Sequence, residues 1–257
     1  MTGMTNKTEP MAFLEPPLPG ATVLVTQRSG GVSTGPWSSL NLGQHVNDAP
    51  AAVAENRSRL RACLPGDPFW LKQVHGIQVA NADEPVSSLP VEADAAVTRQ
   101  ADRVLAILTA DCLPVVLVAP GKVLAVAHAG WRGLAAGVLE ASLAAMQVSA
   151  EQVYAYLGPC IGPEAFEVGA DVREAFLSLY AEAASAFADL GKNAQGESKW
   201  RADLPALATQ QLLRAGVKSV ASSGWCTYSS PERFYSYRRE PITGRFATLA
   251  WLQSDDD

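Results

Sequence analysis

The sequence predicts a mixed α+β fold built as one domain over residues 21–257, and three observations predict it. The chain has 257 residues, 48% hydrophobic and 18% charged, which is enough apolar material for a sizeable core. Short runs of β-branched and aliphatic residues are interspersed with helical patterns, without the regular strand–helix–strand beat of a doubly wound parallel sheet. No segment repeats at a fixed period, which argues against a solenoid or a propeller.

Taken in order, residues 1–20 carry Lys7, Glu9, Glu15 and the prolines Pro10, Pro16, Pro17 and Pro19, and read as a flexible N-terminal arm. The β-branched run from Ala21 to Gln27 predicts a strand. A glycine-rich loop from Arg28 to Asn47 follows, and ordered loops of that length are often functional. Asp48 is placed to cap a helix running to about Leu64, with Pro50 in its first turn. Strands are expected around Phe69–Gln73, Ile77–Ala82, Val104–Leu108, Val115–Ala119 and Val123–His128. A helix from about Leu134 to Met146 puts Leu134, Val138, Ala141 and Ala145 on one stripe. A strand at Val153–Leu157 ends in the run Gly158-Pro159-Cys160-Ile161-Gly162-Pro163. Helices are expected over Asp171–Tyr180 and Leu204–Ala215, with a polar, small-residue segment between them and Gly216 as the stop. Val217–Ser222 and Phe246–Leu252 read as the last strands, and Asp255–Asp257 as a solvated acidic tail.

The net charge of −6 argues against nucleic acid or an anionic membrane as a general partner. The prolines and charges of the first twenty residues leave no apolar signal core, and the longest apolar runs are far shorter than a membrane span. A cytoplasmic, monomeric protein acting on small molecules is expected. Four widely spaced cysteines without a CxxC pair read as reduced thiols, with Cys63 and Cys226 in the core.

The chain has three histidines, His45, His75 and His128, so each needs its own explanation. His128 ends an apolar strand, Cys112 stands between two apolar strands before Pro114, and His75 lies in a turn before Gly76. Such strand ends present side chains to a cleft. One thiolate and two imidazoles suit a tetrahedral ion such as zinc, with the fourth position open for water. The alternative is that the histidines are satisfied polar groups and Cys112 a core thiol, and the spacing matches no compact metal motif.

Thr109-Ala110-Asp111-Cys112-Leu113-Pro114 followed by His128-Ala129-Gly130-Trp131-Arg132-Gly133 resembles the YfiH-like family, also known as the multicopper polyphenol oxidoreductase (laccase) family. Asn41-Leu42-Gly43, Gln73-Val74-His75-Gly76, Gly158–Pro163 and Phe234-Tyr235-Ser236-Tyr237-Arg238-Arg239 match as well, so the resemblance runs from about Arg28 to Phe246. It implies a layered α/β/β/α architecture resembling cysteine hydrolases, zinc bound by His75, Cys112 and His128, and purine nucleoside phosphorylase and adenosine deaminase activity. The segment Lys192–Leu204 looks looser than the family's pattern.

A multicopper oxidase needs an imidazole-rich trinuclear cluster that three histidines cannot build, although copper could replace zinc in the single site. Zinc-assisted deamination needs a carboxylate to move a proton. Asp111 is the candidate, as a proton relay or as an orienting group behind a ligand. Phosphorolysis needs a phosphate site, for which Arg28, Arg132, Arg238 and Arg239 are candidates, and Trp131, Phe234 and Tyr235 could stack on a purine. Asn41, His45 and Gln73 join them as candidate substrate contacts. Three alternatives stay open: an amide hydrolase with Cys112 as nucleophile and His128 as base, in an editing role on peptidoglycan precursors; a laccase-like oxidoreductase; and a non-catalytic binding protein. Cys160, between two glycine–proline pairs, reads as backbone geometry.

Overall fold

The structure, a computed structural model, describes residues 11–85 and 90–254. Two sheets packed face to face form its centre. The larger has six strands in the order Ser219–Ser222, Tyr154–Leu157, Leu113–Ala119, Val123–Ala129, Ala95–Thr98, Val79–Asn81. Its outermost pairs are parallel and its inner pairs antiparallel. The smaller is antiparallel, in the order Phe13–Leu14, Ala21–Thr26, Phe246–Leu252, Leu105–Thr109.

Successive side chains on a strand point to opposite faces, so a strand covered on both sides is apolar throughout. Val116, Val118, Leu124 and Val126 pack against Val23, Val25, Ile107 and Phe246 between the sheets. Their neighbours Val115, Leu117, Ala125 and Ala127 meet the helices Trp131–Ala136, Val138–Met146, Ala170–Leu177 and Leu204–Arg214. On the far side, Leu24, Ala106, Leu108 and Leu249 are covered by Leu60 of the helix Pro50–Arg61 and by Leu40 and Leu42. The fold is therefore mixed, with two central sheets between layers of helix.

Several expectations are corrected. The helix over 134–146 starts at Trp131 and breaks at Gly137, whose φ of 100° only glycine adopts without strain. Asp48 is not the helix cap; Ala49 occupies that position, and the Asp48 carboxylate accepts from Ser33 Oγ and Asn41 Nδ2 instead. The looser segment Lys192–Leu204 holds the turn and second strand of a hairpin, Phe187–Lys192 with Ser198–Ala202, largely uncovered and so without an apolar signature. Its turn is organised by Asn193, whose Oδ1 accepts from Gln195 N and Glu197 N. Cys63 is exposed just beyond its helix, and Cys226 is half-buried, its Sγ accepting from Gly162 N at 3.1 Å. Residues 1–10 of the expected arm and the tail 255–257 lie outside the described residues; Phe13–Leu14 pairs with Val25 and Thr26. No helix among the described residues is long and apolar enough to cross a membrane.

The glycine-rich loop is held by Asn56, fully buried on the helix Pro50–Arg61. Its Nδ2 donates to Ser33 Oγ, Ser39 O and Asn41 O, and its Oδ1 accepts from Val32 N at 2.8 Å. Asn56→Ala should therefore cost roughly 2–4 kcal/mol by leaving buried loop groups unsatisfied. Glu55→Ala, which removes only an exposed pair with Arg59, should cost under about 1 kcal/mol. Urea denaturation of both variants checks the contrast.

Candidate metal centre

The centre lies at one end of the central hairpin of the larger sheet. Cys112 immediately precedes the strand Leu113–Ala119, and His128 pairs with Pro114 on the neighbouring strand. His75 arrives on the loop before Val79–Asn81. The ligand atoms of His75, Cys112 and His128 all lie within 4.8 Å of one another, with Cys112 Sγ 3.8 Å from His75 Nε2. Ligands of a tetrahedral ion with ordinary Zn–N and Zn–S bonds lie roughly 3.5 Å apart, so two imidazoles and a thiolate so placed fit one ion. His128 is buried, Cys112 half-buried and His75 exposed, so the group opens to solvent on one side. Gly130 is required by this approach: a Cβ there would stand 3.0 Å from both Cys112 Sγ and His75 Cδ2.

Asp94, not among the sequence candidates, organises the centre. Its carboxylate is fully buried and accepts from the backbone N–H groups of Val74, His75 and Gly76. Its Oδ1 also lies 2.9 Å from His128 Nδ1, which turns His128 Nε2 toward the other ligands. Burial would raise the pKa of the Asp94 carboxyl, but hydrogen bonds from His128, Gly76 and Val74 outweigh it and hold the pKa low. The available signal was an aspartate standing directly before a wholly buried apolar strand, Ala95–Thr98.

Asp111 does not orient a ligand imidazole. Its φ is 101°, rare for a residue with a side chain, and His75 likewise has φ 63°. Asp111 Oδ1 accepts from Thr227 Oγ1 and Oδ2 from Arg238 N, both at 2.7 Å, while its carbonyl accepts from Ile161 N. The metal loop is thereby tied to the segments 158–163 and 227–238. Cys160 serves the same frame through its backbone, accepting from Thr227 N.

Electrostatics favour a thiolate beside an imidazolium when the ligands stand alone. Burial raises the Cys112 pKa, but the charge of His128 and hydrogen bonds from His128 and His75 bring it below the ordinary thiol value. Burial disfavours the His128 cation, and the Cys112 thiolate with Asp94 outweighs that and raises its pKa. A deprotonated sulfur is the form that binds metal.

A cleft of about 520 Å³ opens onto the centre, lined among others by His45, Gln73, Asp111, Trp131, Arg132 and Arg238. Gln73 holds its rim, its amide exchanging hydrogen bonds with Leu108 N and O. Arg28, Asn41 and Arg239 are not in the lining. Arg28 donates to Ser38 O and Pro231 O; Arg239 donates to Thr227 O, Tyr228 O and Phe234 O; Asn41 is buried within its own loop. Phe234 and Tyr235 are fully buried core, which removes them as stacking surfaces; Trp131 lines the cleft, partly buried against the core with Arg132 over its ring. Arg245, Tyr237, Ile161 and Phe166 line the cleft without having been sequence candidates.

A family profile described as multi-copper polyphenol oxidoreductase laccase matches residues 22–253. A purine nucleoside phosphorylase of Pseudomonas aeruginosa is 50% identical over 230 residues, 89% of this chain and 92% of the relative. The purine nucleoside phosphorylase YfiH of Escherichia coli (strain K12) is 46% identical over 237 residues, 91% of this chain and 94% of the relative. Among solved structures, a Neisseria meningitidis protein of the DUF152 family superposes with TM-score 0.88 at 44% identity, covering 96% of this chain and 100% of that one. YlmD from Geobacillus stearothermophilus gives 0.84 at 29% identity, covering 96% and 98%.

Asp94→Asn keeps the volume but loses the charge and one of the two acceptor oxygens that hold His128 and the 74–76 turn. Competition against a chromogenic chelator, with zinc as the probe ion, should show affinity reduced roughly 10- to 100-fold. Unchanged affinity would mean that His128 is oriented without Asp94.

Proposed function

The chain belongs to the multi-copper polyphenol oxidoreductase laccase family, and from that premise we propose that it is a zinc-dependent purine nucleoside enzyme. It phosphorolyses adenosine, inosine, guanosine or methylthioadenosine, and it deaminates adenosine. It acts in the cytoplasm as a monomer on small molecules, with no nucleic acid or membrane partner. The observation that carries this reading is a three-ligand centre, His75, Cys112 and His128, open to a cleft lined by Arg132, Arg238 and Arg245 against a single lining carboxylate, Asp111. The relatives' names, purine nucleoside phosphorylase, support the same substrate class.

His75, Cys112 and His128 would hold the zinc, which would supply Lewis acidity and lower the pKa of a water. The protein's own groups do the rest. In phosphorolysis a phosphate oxygen bonds to the anomeric carbon and the C–N bond to the base breaks. The electron pair leaves with the purine, which takes up a proton. Excess positive charge in the cleft favours the phosphate dianion, and Trp131 in the lining would meet the base once Arg132 moves off its ring. In deamination water adds at the amino-bearing carbon and ammonia leaves, with protons carried between them. Asp111, in the cleft lining, would carry that transfer; each of its oxygens keeps a lone pair after accepting from Thr227 and Arg238.

A second reading is favoured by one specific observation: Cys112, His128 and Asp94 stand in the order nucleophile, base and orienting carboxylate. It corresponds to a thiol amide hydrolase acting on peptidoglycan precursors. The polyphenol activity in the family's name would need a multicopper cluster, for which the chain's three histidines are too few, and one such group stands among the described residues. A copper ion in place of zinc would make that chemistry secondary.

Zinc-loaded protein incubated with adenosine and phosphate should yield adenine, together with inosine or hypoxanthine, by chromatography. Cys112→Ala should lose zinc and turnover together. Full zinc with no turnover would shift the assignment to thiol attack, and turnover of an amide but of no purine nucleoside would end the nucleoside reading.

A further inference from the structure

Arg245 is seated with unusual care. It precedes the strand Phe246–Leu252, whose register sets Phe246 opposite Thr109, so Arg245 stands beside the turn leading to Asp111 and Cys112. Its N–H donates to Asn41 Oδ1 at 2.8 Å, and its carbonyl accepts from Leu42 N at 3.0 Å. Gly43 leaves room for its stem: a Cβ there would lie 2.8 Å from Arg245 Cγ. The Asn41-Leu42-Gly43 motif is thus the seat of an arginine, and the loop continues directly into His45 at the cleft. Arg245 Nη1 donates to Thr243 O and Gly244 O, which fixes the guanidinium plane. Its Nε and Nη2 have no acceptor among the described residues.

A second cation serves the same loop. Arg57 Nε donates to Leu42 O at 2.9 Å, and its guanidinium stacks 4.1 Å over Trp70. Among the described residues neither Arg57 nor Arg245 forms an ion pair with a carboxylate. Burial pushes both guanidinium pKa values down, Arg57 to about 10, and partial burial, followed by the charges of Arg245 and Arg57, lowers that of His45. The corner thus holds two guanidiniums with no directly paired carboxylate, although the charges of Cys112 and Asp111 reach Arg245 and partly offset its burial.

We infer that inorganic phosphate, the co-substrate of the reaction proposed above, binds at the corner of the cleft formed by Arg245 and His45 and backed by Arg57; the inference rests on that reading. The free edge of the Arg245 guanidinium offers two donors in one plane, the arrangement that grips two oxygens of a phosphate. The other cleft arginines are less suited. Arg132 is exposed and lies 4.3 Å over Trp131, and Arg238 is drawn toward the carbonyl of Glu167. Arg57 positions the loop and adds charge from behind, while Arg245 and His45 touch the anion.

Arg245→Gln should raise the KM for phosphate roughly 10- to 100-fold, the loss expected for charge-assisted hydrogen bonds. The KM for inosine and the zinc content should stay near wild type. Arg245→Lys, which keeps the charge without the planar fork, should fall between and also guards against a folding defect in the glutamine variant. Titration of inorganic phosphate into zinc-loaded protein, followed calorimetrically, should show binding that Arg245→Gln weakens by the same factor. An unchanged phosphate KM and affinity in Arg245→Gln would overturn the inference, as would a larger shift in Arg132→Gln or Arg238→Gln. Phosphate binding that depends on Arg245 in a protein cleaving no nucleoside would uphold the site and overturn the reaction. Absence of phosphate binding in wild type would overturn the site.

Discussion

One buried carboxylate holds the centre together. Asp94 accepts three successive backbone N–H groups from the turn at Val74–Gly76 and the ring N–H of His128. A carboxylate removed from water is costly unless its lone pairs are filled, and here the groups that fill them carry two of the three ligands. The left-handed backbone at His75 persists because Asp94 gathers the N–H groups of that turn. The same bond that stabilises the acid fixes which nitrogen of His128 faces the ion. Stability of the turn and orientation of the ligands are one interaction.

Asp111 plays the complementary part on the other side of Cys112. Through Thr227 and the backbone of Arg238 it joins the metal loop to a segment that supplies Tyr237 and Arg238 to the cleft wall. Asn41 and Asn56 do similar work for the glycine-rich loop, ending in the placement of Arg245 and His45. The centre therefore sits among loops that are long yet fixed by buried side-chain-to-backbone hydrogen bonds. Such bonds exact a penalty of roughly 1–3 kcal/mol when one partner is removed. That pre-organisation lets a cleft be built from loops while its charged groups keep their positions.

The sequence shows some of this and hides the rest for physical reasons. Strands buried on both faces are legible as continuous apolar runs, and the strand ends bearing Cys112 and His128 can be placed from them. The hairpin Phe187–Lys192 and Ser198–Ala202 is hidden because it buries little and so carries no alternation. The spacing of His75, Cys112 and His128 is uninformative by itself; the structure gathers them, and the resemblance had named them. Arg245 is invisible, and Asp94 is marked only by its place before an apolar strand, because their roles arise from register and from contacts between segments far apart in the chain. Arg28 and Arg239 look like anion ligands for the same reason: their flanking motifs are shared with the site, but their guanidiniums are engaged by backbone carbonyls.

The family's description speaks of many coppers, while its relatives carry the names of nucleoside phosphorylases. The donor set bears on that difference independently of either name. Two imidazoles and one thiolate around a single position, among the described residues, fit one ion with an open coordination site. X-ray absorption at the metal edge, on protein purified without added metal, tests this most directly. It should report zinc at about one per chain with one sulfur at about 2.3 Å and light-atom ligands at about 2.0–2.1 Å. A metal shell without sulfur, or several coppers per chain, would contradict the account.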